Sequence, residues 1–198
     1  MRMKKLLLVV AAMMATMSVN AQSESTKQEI AVSYGWLSNS NIIDAFEDIS
    51  GAMFGEKIDN ESYFGPLSVE YFYHLKPWLG VGGIAAYGQL KQDLYLPGKG
   101  SGKDGEIKNS YVTLMPAVKF DWLRKSHFGM YSKLAVGATL RTEKVEGDNV
   151  TDKSDSEVHV NWQVSLLGVE AGGQQLRGFL ELGTGEQGIA LIGLRYKF

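Results

Sequence analysis

Three histidines, His74, His127 and His159, are the residues of this sequence best suited to acid–base work near neutral pH. Acyl-transfer chemistry would need one of them beside a serine hydroxyl, with a carboxylate to orient the imidazole. His159 has Glu157 and Asn161 two residues away, where alternation would place a same-face neighbour, and no Ser. His74 and His127 fall beside short turns, so no catalytic residue is assigned. The run Glu146-Gly147-Asp148-Asn149-Val150-Thr151-Asp152 is acidic but lacks the spacing of a calcium loop, so no metal and no other cofactor is assigned. The absence of cysteine excludes a disulfide scaffold and a lipid-anchored lipoprotein.

A second chemistry, ion pairing and hydrogen bonding away from water, is open to Glu70, His74, Lys133, Arg141, Gln163, Glu181, Arg195 and Lys197. Each stands on the polar face of a segment that alternates with a two-residue period. Such charges must find partners where water is excluded, and the pattern predicts Glu70 and Glu181 paired with Lys133, Arg141 or Arg195.

The elements that must position them are eight alternating segments, near 28–36, 63–74, 78–89, 110–120, 128–141, 158–170, 177–185 and 189–198. The fifth opposes Leu134, Val136, Ala138 and Leu140 to Lys133, Ala135, Gly137, Thr139 and Arg141. The last opposes Ala190, Ile192, Leu194, Tyr196 and Phe198 to Gly193, Arg195 and Lys197. A soluble, secreted sandwich or lipocalin-like barrel would share this alternation with its apolar face inward. Connection lengths favour the opposite orientation, because long connections (37–62, 90–109, 142–157) alternate with short ones (75–77, 121–126, 172–176), as in transmembrane barrels. Only the last outer connection, Glu186-Gln187-Gly188, is short. Trp36 and Trp162 fall at the ends with long connections and Trp78 and Trp122 at the other ends, as aromatic girdles require.

The first residues read as a secretory signal: Arg2, Lys4 and Lys5 precede an apolar stretch from Leu6 to Met17, then Val19-Asn20-Ala21. Cleavage after Ala21 defines 1–21 as signal peptide and 22–198 as the barrel domain. Of 20 Lys and Arg, 17 then remain against 22 Asp and Glu, a formal charge of −5, so nucleic acid is not an expected partner.

The chain resembles small eight-stranded outer-membrane barrels of the OmpA/OmpX type, especially the Bacteroidetes-type outer-membrane barrel-domain proteins. The resemblance is carried by Tyr71-Phe72-Tyr73, Trp78-Leu79-Gly80-Val81-Gly82, Leu114-Met115-Pro116-Ala117-Val118-Lys119-Phe120, Trp162-Gln163-Val164-Ser165, Leu180-Glu181-Leu182-Gly183 and Gly193-Leu194-Arg195-Tyr196-Lys197-Phe198. It implies residence in a Gram-negative outer membrane among lipid and lipopolysaccharide, and insertion by the barrel-assembly machinery through the terminal aromatic Phe198.

The expected fold is therefore all-β, an eight-stranded antiparallel up-and-down transmembrane β-barrel. Pro116, inside the fourth segment, predicts a bulge there or, alternatively, ten strands with a hairpin drawn from the first long connection. That connection also carries Ile42, Phe46, Ile49 and Met53 at helical spacing, predicting a short amphipathic helix over 40–54. The expected role is non-enzymatic, structural or surface-interactive, with an extracellular partner met by long acidic loops. The alternatives are a porin-like narrow pore and a lipid-modifying enzyme.

Overall fold

A computed structural model describes residues 27–38, 57–95, 105–146 and 153–198. They form β1 (Gln28–Trp36), β2 (Lys57–Lys76), β3 (Leu79–Tyr95), β4 (Gly105–Arg124), β5 (Phe128–Glu146), β6 (Lys153–Gly172), β7 (Leu176–Gly185) and β8 (Ala190–Lys197). Each strand pairs antiparallel with the next, and β1 pairs with β8 from Glu29 opposite Lys197 to Trp36 opposite Ala190. The ring is closed by eight strands, not ten. Closure leaves no unpaired strand edge inside a bilayer, where an open backbone polar group has no water to bond.

The two faces are inverted relative to a soluble barrel. Val160 (79% exposed), Leu166, Leu114 and Val136 cover the outside, while Lys119, Lys133 and Arg195 are fully buried inside. The structure is a transmembrane β-barrel. Phe72, Ile84, Met115, Ala117 and Ala135 form a small apolar cluster within the lumen, so the interior is mixed. All four tryptophans are exposed. Trp36 and Trp162 accept backbone hydrogen bonds from the connection between β7 and β8, and Trp78 and Trp122 sit at the other end.

Two expectations are corrected. The bulge at Pro116 is absent, since Leu114 opposes Ala138 and Ala117 opposes Ala135 in one unchanged register, with Gly83 opposite Pro116 on the other side. Gly137 makes this possible: a Cβ there would lie 2.0 Å from the Leu114 carbonyl oxygen, so only glycine lets β5 close on β4 beside the missing N–H. Register shifts fall elsewhere: three between β2 and β3, at Asp59/Ser62, Phe64/Leu67 and His74/Lys76, and one each at Asp121/Leu123, Tyr131/Lys133 and Ser165/Leu167.

The long connections are also shorter than expected. Strands β2 to β6 run for 17 to 20 residues, whereas β1, β7 and β8 have 9, 10 and 8. Crossing the bilayer needs only about 9–11 residues, so the surplus stands above the outer rim as a five-stranded sheet. The signal segment 1–21, the helix over 40–54 and the tips of the second and third long loops lie outside the described residues.

Candidate functional site

Inward-facing positions fill the barrel from bottom to top. At the end carrying the short turns, Glu29 accepts a hydrogen bond from Lys119 Nζ at 2.6 Å, and His74 lies between two carboxylates, 3.4 Å from Glu29 through Nε2 and 3.4 Å from Asp121 through Nδ1. Glu170 receives Arg177 Nη1 at 2.7 Å, Arg195 Nη1 at 2.8 Å and the Lys197 ammonium. Arg177 also ties the wall to the turn below, donating to the carbonyls of Lys125 and Ser126 at 2.8 and 2.9 Å.

The middle layer is built on Arg195 and Tyr131. Lys119 Nζ stands 4.2 Å from the Tyr131 ring centroid and the Arg195 guanidinium 4.5 Å from it, while the same guanidinium lies 4.6 Å over Phe179. The ring quadrupoles thus attract the cations while carboxylates accept hydrogen bonds from their N–H groups. Gly168 provides the room, since a Cβ there would sit 2.4 Å from the Tyr131 ring. Above, Lys133 is shared by two acids, pairing with Glu70 and lying 2.8 Å from Glu181. Glu181 also accepts from Tyr131 Oη and Ser165 Oγ, each at 2.7 Å.

The upper closure comes from the connection between β7 and β8. Glu186 and Gln187 are buried (3% and 0% exposed) because this short loop folds into the lumen between Gly185 (φ 137°) and Gly188 (φ 108°). Such positive φ values favour glycine. Gln187 Nε2 donates to Glu70 Oε1 at 2.8 Å, its backbone N–H donates to Gln163 Oε1 at 2.8 Å, and Glu186 accepts from Asn161 Nδ2 at 2.8 Å. Loop and wall form one hydrogen-bonded plug.

Of the residues that alternation points inward, Glu70, His74, Lys133, Gln163, Glu181, Arg195 and Lys197 are buried in this network. Arg141 stands at another level. It lies higher, half-buried at the mouth and 3.6 Å from Glu143, in a recess that Asp155 and Glu157 also line. Glu29, Lys119, Asp121, Glu170, Arg177, Glu186 and Gln187 belong to the network and were not singled out by the sequence. The remaining histidines are placed plainly: His127 Nδ1 is 3.0 Å from the Gly172 carbonyl, and His159 faces Thr139 across the β5–β6 ladder.

No protein-family model matches the chain, and no curated protein matches it in sequence. Among solved structures, the chain is similar to Ail, the attachment invasion locus protein of Yersinia pestis, solved in complex with the heparin analogue sucrose octasulfate. The match covers 88% of this chain and 100% of that one at a TM-score of 0.52 and 12% identity. At that identity the likeness concerns the fold, an eight-stranded barrel.

Proposed function

We propose that this protein is a non-enzymatic outer-membrane barrel whose filled body anchors a sheet displayed at the cell surface, where it meets an extracellular partner. The observation that supports this reading is the unequal height of the strands. Five strands outgrow the bilayer while three end at its rim, which is costly to build unless the surplus is used. On its inner face, that sheet carries a recess of Glu143, Asp155 and Glu157 against Arg141, and the acidic balance of this recess favours a partner with basic groups. A signal peptide removed after Ala21, and insertion aided by Phe198, complete the proposal. The complex of Ail with a heparin analogue is in keeping with a small barrel that engages soluble extracellular molecules.

A narrow pore is the second reading, and the buried Glu186-Gln187 loop argues against it. A lipid-modifying enzyme draws no support from His74, which faces carboxylates and not a hydroxyl. The test is expression in a Gram-negative host with a peptide tag between Asp148 and Asn149. Protein in the outer-membrane fraction whose gel mobility changes on boiling, with the tag labelled on intact cells, is expected. A soluble product, or a tag reached only after permeabilisation, would overturn the proposal.

A further inference from the structure

The register of the three central strands brings together residues that are far apart in sequence. Lys91 opposes Lys108 across β3 and β4, and Lys108 opposes Lys144 across β4 and β5. All three have the parity of the lipid-facing positions Tyr87, Val112 and Leu140, so they form one row of cations on the outer surface. Like charges directly opposite one another destabilise a sheet. Lysines are often placed on edge strands to prevent aggregation, but β3, β4 and β5 are the middle of the tall sheet, so that explanation does not apply.

Height identifies what the row meets. On β4 the outward residues from Trp122 to Val112 are Trp122, Phe120, Val118, Pro116, Leu114 and Val112, a span of 11 residues. That length matches the thickness of the hydrocarbon core. The next outward row is polar: Gln89 donates to Ser110 Oγ at 3.3 Å, and Thr142 lies 3.3 Å from Ser156. The lysine row follows, four residues above the last apolar row. At about 3.3 Å per residue and a tilt near 45°, this is about 9 Å above the core, within the reach of a lysine side chain to the headgroups. Asp93 and Glu106 lie one row farther out, so carboxylates stand on the water side of the cations and none stands on the membrane side. Below the row, the outer surface between β2, β3 and β4 is indented. Gly83 has no side chain, and Val69, Tyr71, Ala85, Leu114 and Pro116 surround a shallow apolar groove of about 380 Å³.

We propose that Lys91, Lys108 and Lys144 bind the phosphate groups of an outer-leaflet glycolipid, one acyl chain of which runs past Tyr87 and Val112 into the groove at Gly83. This rests on the outer-membrane orientation proposed above and names a lipid partner for the outer face of the displayed sheet.

The test uses the purified full-length barrel in detergent micelles doped with phosphorylated lipid A or with the same lipid dephosphorylated, bound lipid being read by native mass spectrometry. The wild type is expected to retain the phosphorylated form at least about tenfold better, given the affinity that each basic residue adds near an anionic surface. K91R/K108R/K144R should keep that preference and K91Q/K108Q/K144Q should lose it, both with mobility that still changes on boiling. NMR contacts between lipid ³¹P and lysine ¹⁵Nζ in the wild type read the same site without any substitution. No preference in the wild type, a preference kept in the glutamine variant, absent NMR contacts, or sucrose octasulfate and inorganic phosphate displacing the lipid at equal concentration would each overturn the assignment. A heat-modifiable, surface-labelled barrel without phosphate preference would overturn this inference alone.

Discussion

Lys133 shows how the lumen tolerates charge. It is fully buried, yet it is held by Glu70 and Glu181, and each of those acids has further donors in Gln187, Arg195, Tyr131 and Ser165. An unpaired buried charge costs about 3–5 kcal/mol, and a paired one can be near neutral. Glu181→Gln leaves Lys133 with Glu70 alone, so a loss of about 2 kcal/mol is expected in urea unfolding from liposomes, below the cost of complete isolation. Combining it with Lys133→Met should cost less than the sum of the two single changes, because the acid and the base are removed together. Strict additivity would show that the pair is not coupled. Gly168→Ala tests the aromatic half of the layer: its Cβ would collide with the Tyr131 ring, and overpacking of this kind costs about 1–3 kcal/mol. A variant as stable as the wild type would mean that the ring is not clamped.

At the scale of the strand, facing decides what a substitution does. Leu134→Arg puts a cation against lipid on the exposed face of β5 and should cost about 2–4 kcal/mol near the midplane. Its neighbour Ala135 is buried in the lumen, so Ala135→Arg acts by crowding and by adding a charge to an already paired network. Equal behaviour of the two variants in liposome unfolding would reject the assignment of faces. The same two-residue rule made most of the network legible in the sequence: Glu70, Lys133, Glu181 and Arg195 follow from it, and Glu29 and Lys119 lie on the same faces of their strands as Ala31 and Ala117. Glu170 does not, because the register shift at Ser165/Leu167 reverses parity partway along β6, and an uninterrupted count from Gln163 sends it outward. That Arg141 stands at the mouth was not legible either, since alternation reports the face of a residue and not its height. Glu186 and Gln187 were hidden because nothing periodic marks a loop that turns inward. The signal lay only in the brevity of that connection and its flanking glycines. Phe198 closes the ring, exchanging backbone hydrogen bonds with Gln28 at 2.9 Å in both directions and stacking on Tyr196 at 5.9 Å. Deleting it should lower the yield of heat-modifiable protein in outer-membrane fractions, and an unchanged yield would overturn the proposal that it aids insertion.

For the whole molecule, a bore of eight strands is just wide enough to be filled by side chains, and here it is filled twice over, by the wall network and by the inserted loop. Planar-bilayer recordings should show no stable, ion-selective conductance. Glu186→Ala with Gln187→Ala should not open one either, because Glu70, Lys133, Glu181 and Arg195 still occupy the layer beneath. A reproducible channel in the wild type would promote the pore reading. The ring order places β4 opposite β8, so the tall strands centred on β4 and the short strands β7, β8 and β1 occupy opposite sides of the circumference. The barrel therefore has a front and a back in the plane of the membrane. Seen down the axis from the end with the long strands, its high side screens one half of the horizon and its low side leaves the concave wall open. A wall of this build is open from one compass direction and closed from the other, and two copies that turn their backs to each other would face opposite neighbourhoods.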